Sequence, residues 1–274
     1  MRIQKLIKKE KKYFAKILEK HKNISEKKKE NWRHETVFER KMRLSLEVFE
    51  IMRGKVKFGP FKGLKLSKNC AWGKLDLGSQ CLGLYEKQLL SEIEKIKPKE
   101  FSNFINIGAA DGYYAIGMLM SKKIQRALCF EKSIKGRNSI IENWKLNNCV
   151  GKLEIQNKAD EKNLLKLPKR FLDKALIIID IEGDEFDILS KNVLETIRNT
   201  TIIIEIHNWV EDFLFKYQTL LETANNFFNI QIIKNTSRNT YNSNKLREFT
   251  DDNRLLISSE HRPCLMRFLK FSPK

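Results

Sequence analysis

No apolar run in the 274-residue sequence is long enough to cross a bilayer, and no signal-type h-region follows its N-terminus. A soluble, cytoplasmic protein is the resulting expectation. The five cysteines, Cys70, Cys81, Cys129, Cys149 and Cys264, are odd in number and scattered, and no C-x-x-C occurs. A disulfide framework and a zinc knuckle are set aside on that ground, and reduced, buried thiols are expected. No internal repeat is visible, which argues against a solenoid or propeller. Neither the G-x-G-x-x-G of a dinucleotide site nor a P-loop is present. Acidic side chains are comparatively scarce, 34 against 53 basic ones, for a net charge of +19. That excess suits anionic partners: nucleic acid, a membrane surface or phosphate-bearing small molecules. It equally fits a lysine-rich compositional bias.

The most informative stretch is Phe104–Ala115, reading F-I-N-I-G-A-A-D-G-Y-Y-A. Phe104, Ile105 and Ile107 suit a buried parallel strand, and Tyr113 to Met120 continue as an apolar helix. Gly108 and Gly112 bracket the turn between them, as glycine does where the backbone bends sharply or a ligand comes close. Such a turn is the usual cofactor position in an open α/β sheet. Asp111, inside the turn, repels a pyrophosphate but suits a cationic or hydroxyl-bearing ligand. This points to S-adenosylmethionine, which carries a sulfonium and an ammonium and no phosphate. Gly108, Ala109, Asp111, Gly112 and Tyr113 are its expected contacts.

Upstream, Met1–Glu30 holds twelve Lys or Arg against four Glu. Ile3, Leu6, Ile7, Phe14, Ile17 and Leu18 recur at helical spacing, giving a basic amphipathic helix. It can pack on its own protein, the preferred reading, or lie on an anionic membrane. A second helix is expected over Glu35–Arg53, stopped by Gly54. Turns and short strands or an ordered loop follow from Val56 to Gly83, then a helix over Leu84–Ile96. Residues 1–55 read as a helical extension and 56–274 as the main domain.

Beyond the glycine turn, strand and helix patterns alternate. Strands are expected at Ala127–Phe130, Lys152–Gln156, Ala175–Ile179, Thr201–Ile204, Ile230–Ile233 and Leu265–Phe271. Helices are expected at Ser139–Leu146, Phe186–Leu194 and Trp209–Phe227. Repeated βα units imply a mostly parallel sheet covered on both faces.

Ligands in such sheets bind beyond the carboxyl ends of the strands. Glu131 closes the second strand and can accept both hydrogen bonds of a ribose diol. Asp160, near the end of the third, can accept from an adenine amino group or simply form a turn. Asp180, Glu182, Asp184 and Glu185 follow the fourth strand; Glu205 and His207 close the fifth. Grouped carboxylates repel one another unless a cation, a proton or a substrate hydroxyl offsets them. Asp184 and Glu185 also sit where a helix starts and complement its dipole, and Glu185 is read that way.

The glycine turn, C-F-E-K after it, I-I-I-D-I-E-G-D-E-F-D-I-L and I-I-I-E-I-H resemble the FkbM family of methyltransferases. G-P-F-K-G-L-K-L at Gly59–Leu66, L-G-L-Y-E at Leu82–Glu86 and E-H-R-P at Glu260–Pro263 are also similar to members of that family. The resemblance covers roughly Val56 to Pro273. It implies an α/β, Rossmann-like class I methyltransferase fold with a mostly parallel seven-stranded sheet and helices on both faces. It also implies O-methylation, often of sugar hydroxyls in antibiotics and surface polysaccharides. Asn106 stands where many methyltransferases place an acidic residue.

The expected activity is therefore S-adenosylmethionine-dependent O-methylation of a sugar or nucleotide-sugar hydroxyl for capsule-type polysaccharide. A hydroxyl is barely acidic, so the reaction needs a base or a metal that lowers its pKa. Asp180, Glu182 and His207 are the catalytic candidates; Asp180, Glu205 and His207 are the candidate ligands of a divalent ion. A nucleic-acid methyltransferase or binding module is the alternative, supported by charge. Against it, no N-P-P-Y or D-P-P-Y ends the fourth strand and no aromatic-interleaved basic patch occurs, so no nucleic-acid partner is expected. The sequence leaves room for a homo-oligomer.

Overall fold

The computed structural model describes residues 3–22, 34–72, 74–241, 243–260, 262 and 264–274. Gly73, His261, Pro263 and the end of the basic N-terminal stretch lie outside the described residues. The chain forms two compact bodies, one up to Arg43 and one from Leu44 to Lys274.

The first body contains helix α1 (Ile3–Lys22) and the start of α2 (Val37–Met52). Thr36 and Glu39 open α2 as a reciprocal box. The Glu39 N–H donates to Thr36 Oγ1 (3.2 Å) and the Thr36 N–H to Glu39 Oε2 (2.9 Å). Two otherwise orphaned donors are satisfied in this way. The second half of α2 belongs to the larger body, where Leu44, Val48 and Met52 are buried in the core. Residues 44–55, expected in the extension, are thus part of the sheet domain.

In the larger body, α3 (Leu77–Cys81) and α4 (Lys87–Lys95) precede strand β1 (Asn103–Ile107). Then come α5 (Tyr113–Met120), β2 (Arg126–Phe130), α6 (Ile134–Asn147) and β3 (Lys152–Gln156). The short helices α7 (Glu161–Leu165) and α8 (Lys169–Leu172) lead to β4 (Ala175–Ile179). Next are α9 (Glu185–Ile188), α10 (Lys191–Thr196) and β5 (Thr201–Ile206). The chain ends through α11 (Phe213–Ala224), β6 (Phe228–Ile233), α12 (Asp251–Ser258) and β7 (Arg267–Pro273).

The seven strands form one sheet in the order β3-β2-β1-β4-β5-β7-β6. The first five are parallel, and β7 runs antiparallel to both β5 and β6. This is the Rossmann-like fold of class I methyltransferases. Every residue of β1 and β4 is buried, as strands covered on both faces must be. Side chains alternate between two cores: Leu176 and Ile178 join one, Ile177 and Ile179 the other. In the first core Phe61 is fully buried against Gly117, where a Cβ would meet its ring at 2.5 Å. Truncating such a ring costs about 3–5 kcal/mol.

Three departures from the sequence reading bear on the site. The helix expected over Phe186–Leu194 breaks in two, because Ser190 caps a new start by accepting from the Val193 N–H (3.3 Å). The helix expected from Trp209 begins only at Phe213, after a left-handed Asp212 (φ 54°), so Trp209 lies in a turn. Strand β5 runs on to Ile206, placing Glu205 inside the sheet opposite Phe268.

The described residues of the Val56–Gly83 region form a strap that carries the short α3 and a bridge between Lys65 and Lys55 just before it. It is tied to α6 by Lys65 N–H to Asn147 Oδ1 (2.7 Å) and Ser67 N–H to Asn143 Oδ1 (2.8 Å). Beyond these ties it reaches the glycine turn.

Candidate active site

A cleft of about 210 Å³ opens at the carboxyl ends of β1, β2 and β4. Strand order reverses between β1 and β4, so a ligand has room between the diverging loops. Gly108 (φ 83°) is required for a structural reason: a Cβ there would lie 1.7 Å from the Asp180 carbonyl oxygen. The turn after β1 and the turn after β4 are therefore in backbone contact. Gly112 (φ 78°) starts α5 and does not itself line the cleft.

Glu131 is buried beside this turn. Its Oε2 accepts from the Ala110 N–H (2.8 Å) and its Oε1 from the Ser133 N–H (2.7 Å). Gly136 leaves the necessary space, since a Cβ there would come within 2.6 Å of Glu131 Cγ. One donor per oxygen holds the carboxylate while leaving acceptor capacity toward the cleft.

Asp111 lines the cleft, but its Oδ1 accepts from the strap's Ala71 N–H (2.5 Å), and burial raises its pKa. Its main tie is to the strap. Asn106 is buried in the cleft wall, and its Oδ1 has no partner among the described residues; neither does the Tyr113 hydroxyl. Unmet buried acceptors of this kind suit a ligand that brings donors, such as an ammonium group. Ala109, Phe130, Ala159 and Ile178 supply an apolar wall suited to a flat ring. Asp160, expected at the adenine amino group, is exposed, accepts from the Asn163 N–H (2.7 Å) as the cap of α7, and does not line the cleft.

Past β4 and β5 a second group converges. Glu185, read from sequence as a helix-dipole residue, does open α9, and its side chain is also completely buried and hydrogen-bonded to His207. Its Oε1 lies 3.0 Å from His207 Nδ1 and accepts from the His207 N–H (2.9 Å); its Oε2 accepts from the Gly183 N–H (2.9 Å). Glu182 adopts a left-handed conformation (φ 57°) to make this turn, a strain tolerated where the surroundings fix it. His207 Nε2 faces Asp180 Oδ1 (3.4 Å), Glu182 Oε2 (3.7 Å) and Glu205 Oε2 (3.8 Å). Burial alone lowers the imidazole pKa, but the carboxylates of Asp180 and Glu185 outweigh it and raise it to about 9.

Behind these groups lies a buried ion network. Arg262 reaches Glu86 (3.0 Å), Glu205 (2.5 Å) and Glu260 (2.5 Å). Glu260 also pairs with Arg238 and accepts from the Glu86 N–H (2.8 Å), and the Tyr114 hydroxyl donates to Glu86. Burial and the nearby Asp180 push the Glu86 carboxyl up to about 8. Burial, with Glu86 beside it, lifts Glu205 well above its ordinary range.

No protein-family model matches the chain, and no curated protein matches it. Among solved structures it is similar to ribosomal protein L11 methylase from Lactobacillus delbrueckii subsp. bulgaricus, at 16% identity over 77% of this chain and 85% of that one, TM-score 0.43. It is similar to precorrin-6y C5,15-methyltransferase from Geobacter metallireducens at 12% identity, covering 77% and 94% of the two chains, TM-score 0.43. M. jannaschii TYW2 in complex with AdoMet gives 15% identity over 70% and 77%, TM-score 0.41. These likenesses are remote; the strand order itself defines the fold.

Asp180 Oδ1, Glu182 Oε2 and His207 Nε2 approach one another closely enough to hold one cation, as do oxygens of Glu86, Asp180 and Glu205. The expected trio of Asp180, Glu205 and His207 does not form such a set among the described residues, although Asp180 Oδ1 and Glu205 Oε2 each lie within 3.8 Å of His207 Nε2. Sequence reasoning did not single out Glu86, Tyr114, Arg238 or Arg262 as individual site residues. The fragments L-G-L-Y-E and E-H-R-P were the available signal, and the structure brings Glu86 against Arg262 across 176 positions.

Proposed function

We propose that this chain is an S-adenosylmethionine-dependent O-methyltransferase acting on a sugar hydroxyl, of a nucleotide-linked or phosphate-bearing precursor for surface polysaccharide. The observation that carries this reading is the His207–Glu185 pair, with a buried Nε2 facing the carboxylates of Asp180 and Glu182 at the cleft edge. Bound S-adenosylmethionine supplies an electrophilic methyl group. Gly108, Ala109 and Tyr113 would form the floor for it, Glu131 would accept from its ribose, and Asn106 would accept from its ammonium.

On the acceptor side, His207 Nε2 takes the hydroxyl proton, while Glu185 fixes the tautomer and steadies the imidazolium that results. Asp180 and Glu182 accept from neighbouring hydroxyls of the same ring. Trp209, half-exposed with its ring centroid 4.9 Å from that of His207, offers a flat apolar face beside them. Carboxylates next to an aromatic face suit a sugar ring, and the FkbM resemblance supports the same acceptor class. In a second version, Asp180, Glu182 and His207 would hold a divalent ion, which would supply Lewis acidity toward the hydroxyl.

The net charge of +19 favours a nucleic-acid acceptor instead. Incubating the protein with labelled cofactor and separate panels of nucleotide sugars, RNA and DNA decides between them. Label on a sugar hydroxyl supports the proposal, and label on nucleic acid alone replaces it.

A further inference from the structure

We infer that helix α1 is an interfacial anchor that docks this protein on an anionic lipid surface. The observations are independent of the catalytic reading, since α1 lies wholly in the smaller body. Over its 20 residues it carries eight lysines against two glutamates. At about 100° per residue, Ile3, Leu6, Ile7, Tyr13, Phe14 and Leu18 occupy an arc of roughly 140°. Lys5, Lys8, Lys9, Lys12 and Lys16 fill the opposite side, and Lys11 flanks the arc's edge.

Within the smaller body the apolar side chains of this stripe are exposed. Ile3 is 65% exposed, Phe14 54% and Leu18 64%, with Leu6, Ile7 and Tyr13 also exposed. An apolar arc of that width left in water is costly, and an acyl-chain boundary is the surface that takes it up while headgroup phosphates meet the flanking lysines. No helix among the described residues is long and apolar enough to cross a membrane, so α1 lies on the surface and does not span it. A nucleic acid would engage the lysines but leave the apolar arc in water, so lipid accounts for both faces and nucleic acid for one. Glu10, inside the arc, is the single charged interruption among the described side chains.

The test is flotation of the full chain with vesicles of phosphatidylcholine alone or mixed with phosphatidylglycerol. Binding to the anionic vesicles should exceed binding to the neutral ones by at least tenfold and weaken as salt rises. Ile7→Ser with Phe14→Ser should abolish it, as should Lys8→Glu with Lys12→Glu, with circular dichroism verifying that each variant is folded. Equal binding to both vesicle types, or none to the anionic ones, overturns the inference. So does a wild-type chain that binds duplex RNA but not vesicles. Turnover on a soluble sugar acceptor is a separate readout, so failure here leaves the catalytic proposal intact.

Discussion

The Oε1 atom of Glu185 lies 3.0 Å from His207 Nδ1 and also accepts from the His207 backbone N–H at 2.9 Å. One buried carboxylate thus fixes both the position of the imidazole and the nitrogen that carries its proton. Glu185 starts α9, as its position in the sequence implies, but a helix start alone does not account for its burial. Burial at 0% exposure makes it the internal support of the base.

Glu185→Gln keeps the shape while removing the charge that stabilises an imidazolium. Turnover should fall by about a hundredfold, with the Michaelis constant for the cofactor changed by less than about threefold. Steady-state kinetics on the folded variant provide the measurement, and an unaltered turnover would leave Glu185 a purely structural residue.

The pH profile follows from the raised imidazole pKa of about 9. At neutral pH His207 is mainly protonated and unable to accept, so kcat/KM should climb by about tenfold per unit above pH 7 and level off near 9. Stability runs the other way. A group whose pKa is raised on folding stabilises fully below its unfolded value, near 6.5, and that contribution is lost as pH rises through about 9. An activity profile flat across this interval would remove His207 from the role of base.

How much of this was legible in the sequence depends on what each residue's partner is. The central strands showed themselves as largely apolar runs, such as the A-L-I-I-I of β4 with Asp180 directly after it, because burial on both faces disfavours polar residues within them. The turn from Gly108 to Gly112 was visible for the same local reason. Glu185 was not, since a helix start explains an acidic residue without any long-range partner. Asp160 differs in the opposite sense: β3 ends at Gln156, and Asp160 caps the helix that follows, its side chain turned back on Asn163. Arg262 and Glu86 are joined only by folding, and no local pattern signals an ion pair across 176 positions.

Glu86 gives a second pH signature, in stability and not in rate. Its carboxyl titrates at about 8 in the fold against 4.5 in the unfolded chain, through burial and the charge of Asp180. Its contribution is fully present below pH 4.5 and lost as pH rises through 8. Thermal melts of Glu86→Gln should therefore show a flatter fall across this window than the parent. Parallel curves would place the titration on another group.

Glu131→Ala removes the ribose acceptor and the support of the Ala110 N–H together. Cofactor affinity measured by calorimetry should drop by about 2 kcal/mol or more. Undiminished affinity in a folded variant would detach Glu131 from the ribose.

The central claim is that His207 deprotonates an acceptor hydroxyl beside a bound S-adenosylmethionine, and His207→Ala tests it most directly. Turnover and S-adenosylmethionine affinity are to be measured on the same folded preparation, with and without a chelator. The account predicts turnover reduced by about a hundredfold or more with cofactor affinity essentially retained. Chelator sensitivity reversed by a divalent ion would assign the chemistry to the ion-assisted version. Full turnover in His207→Ala would contradict the account in both versions.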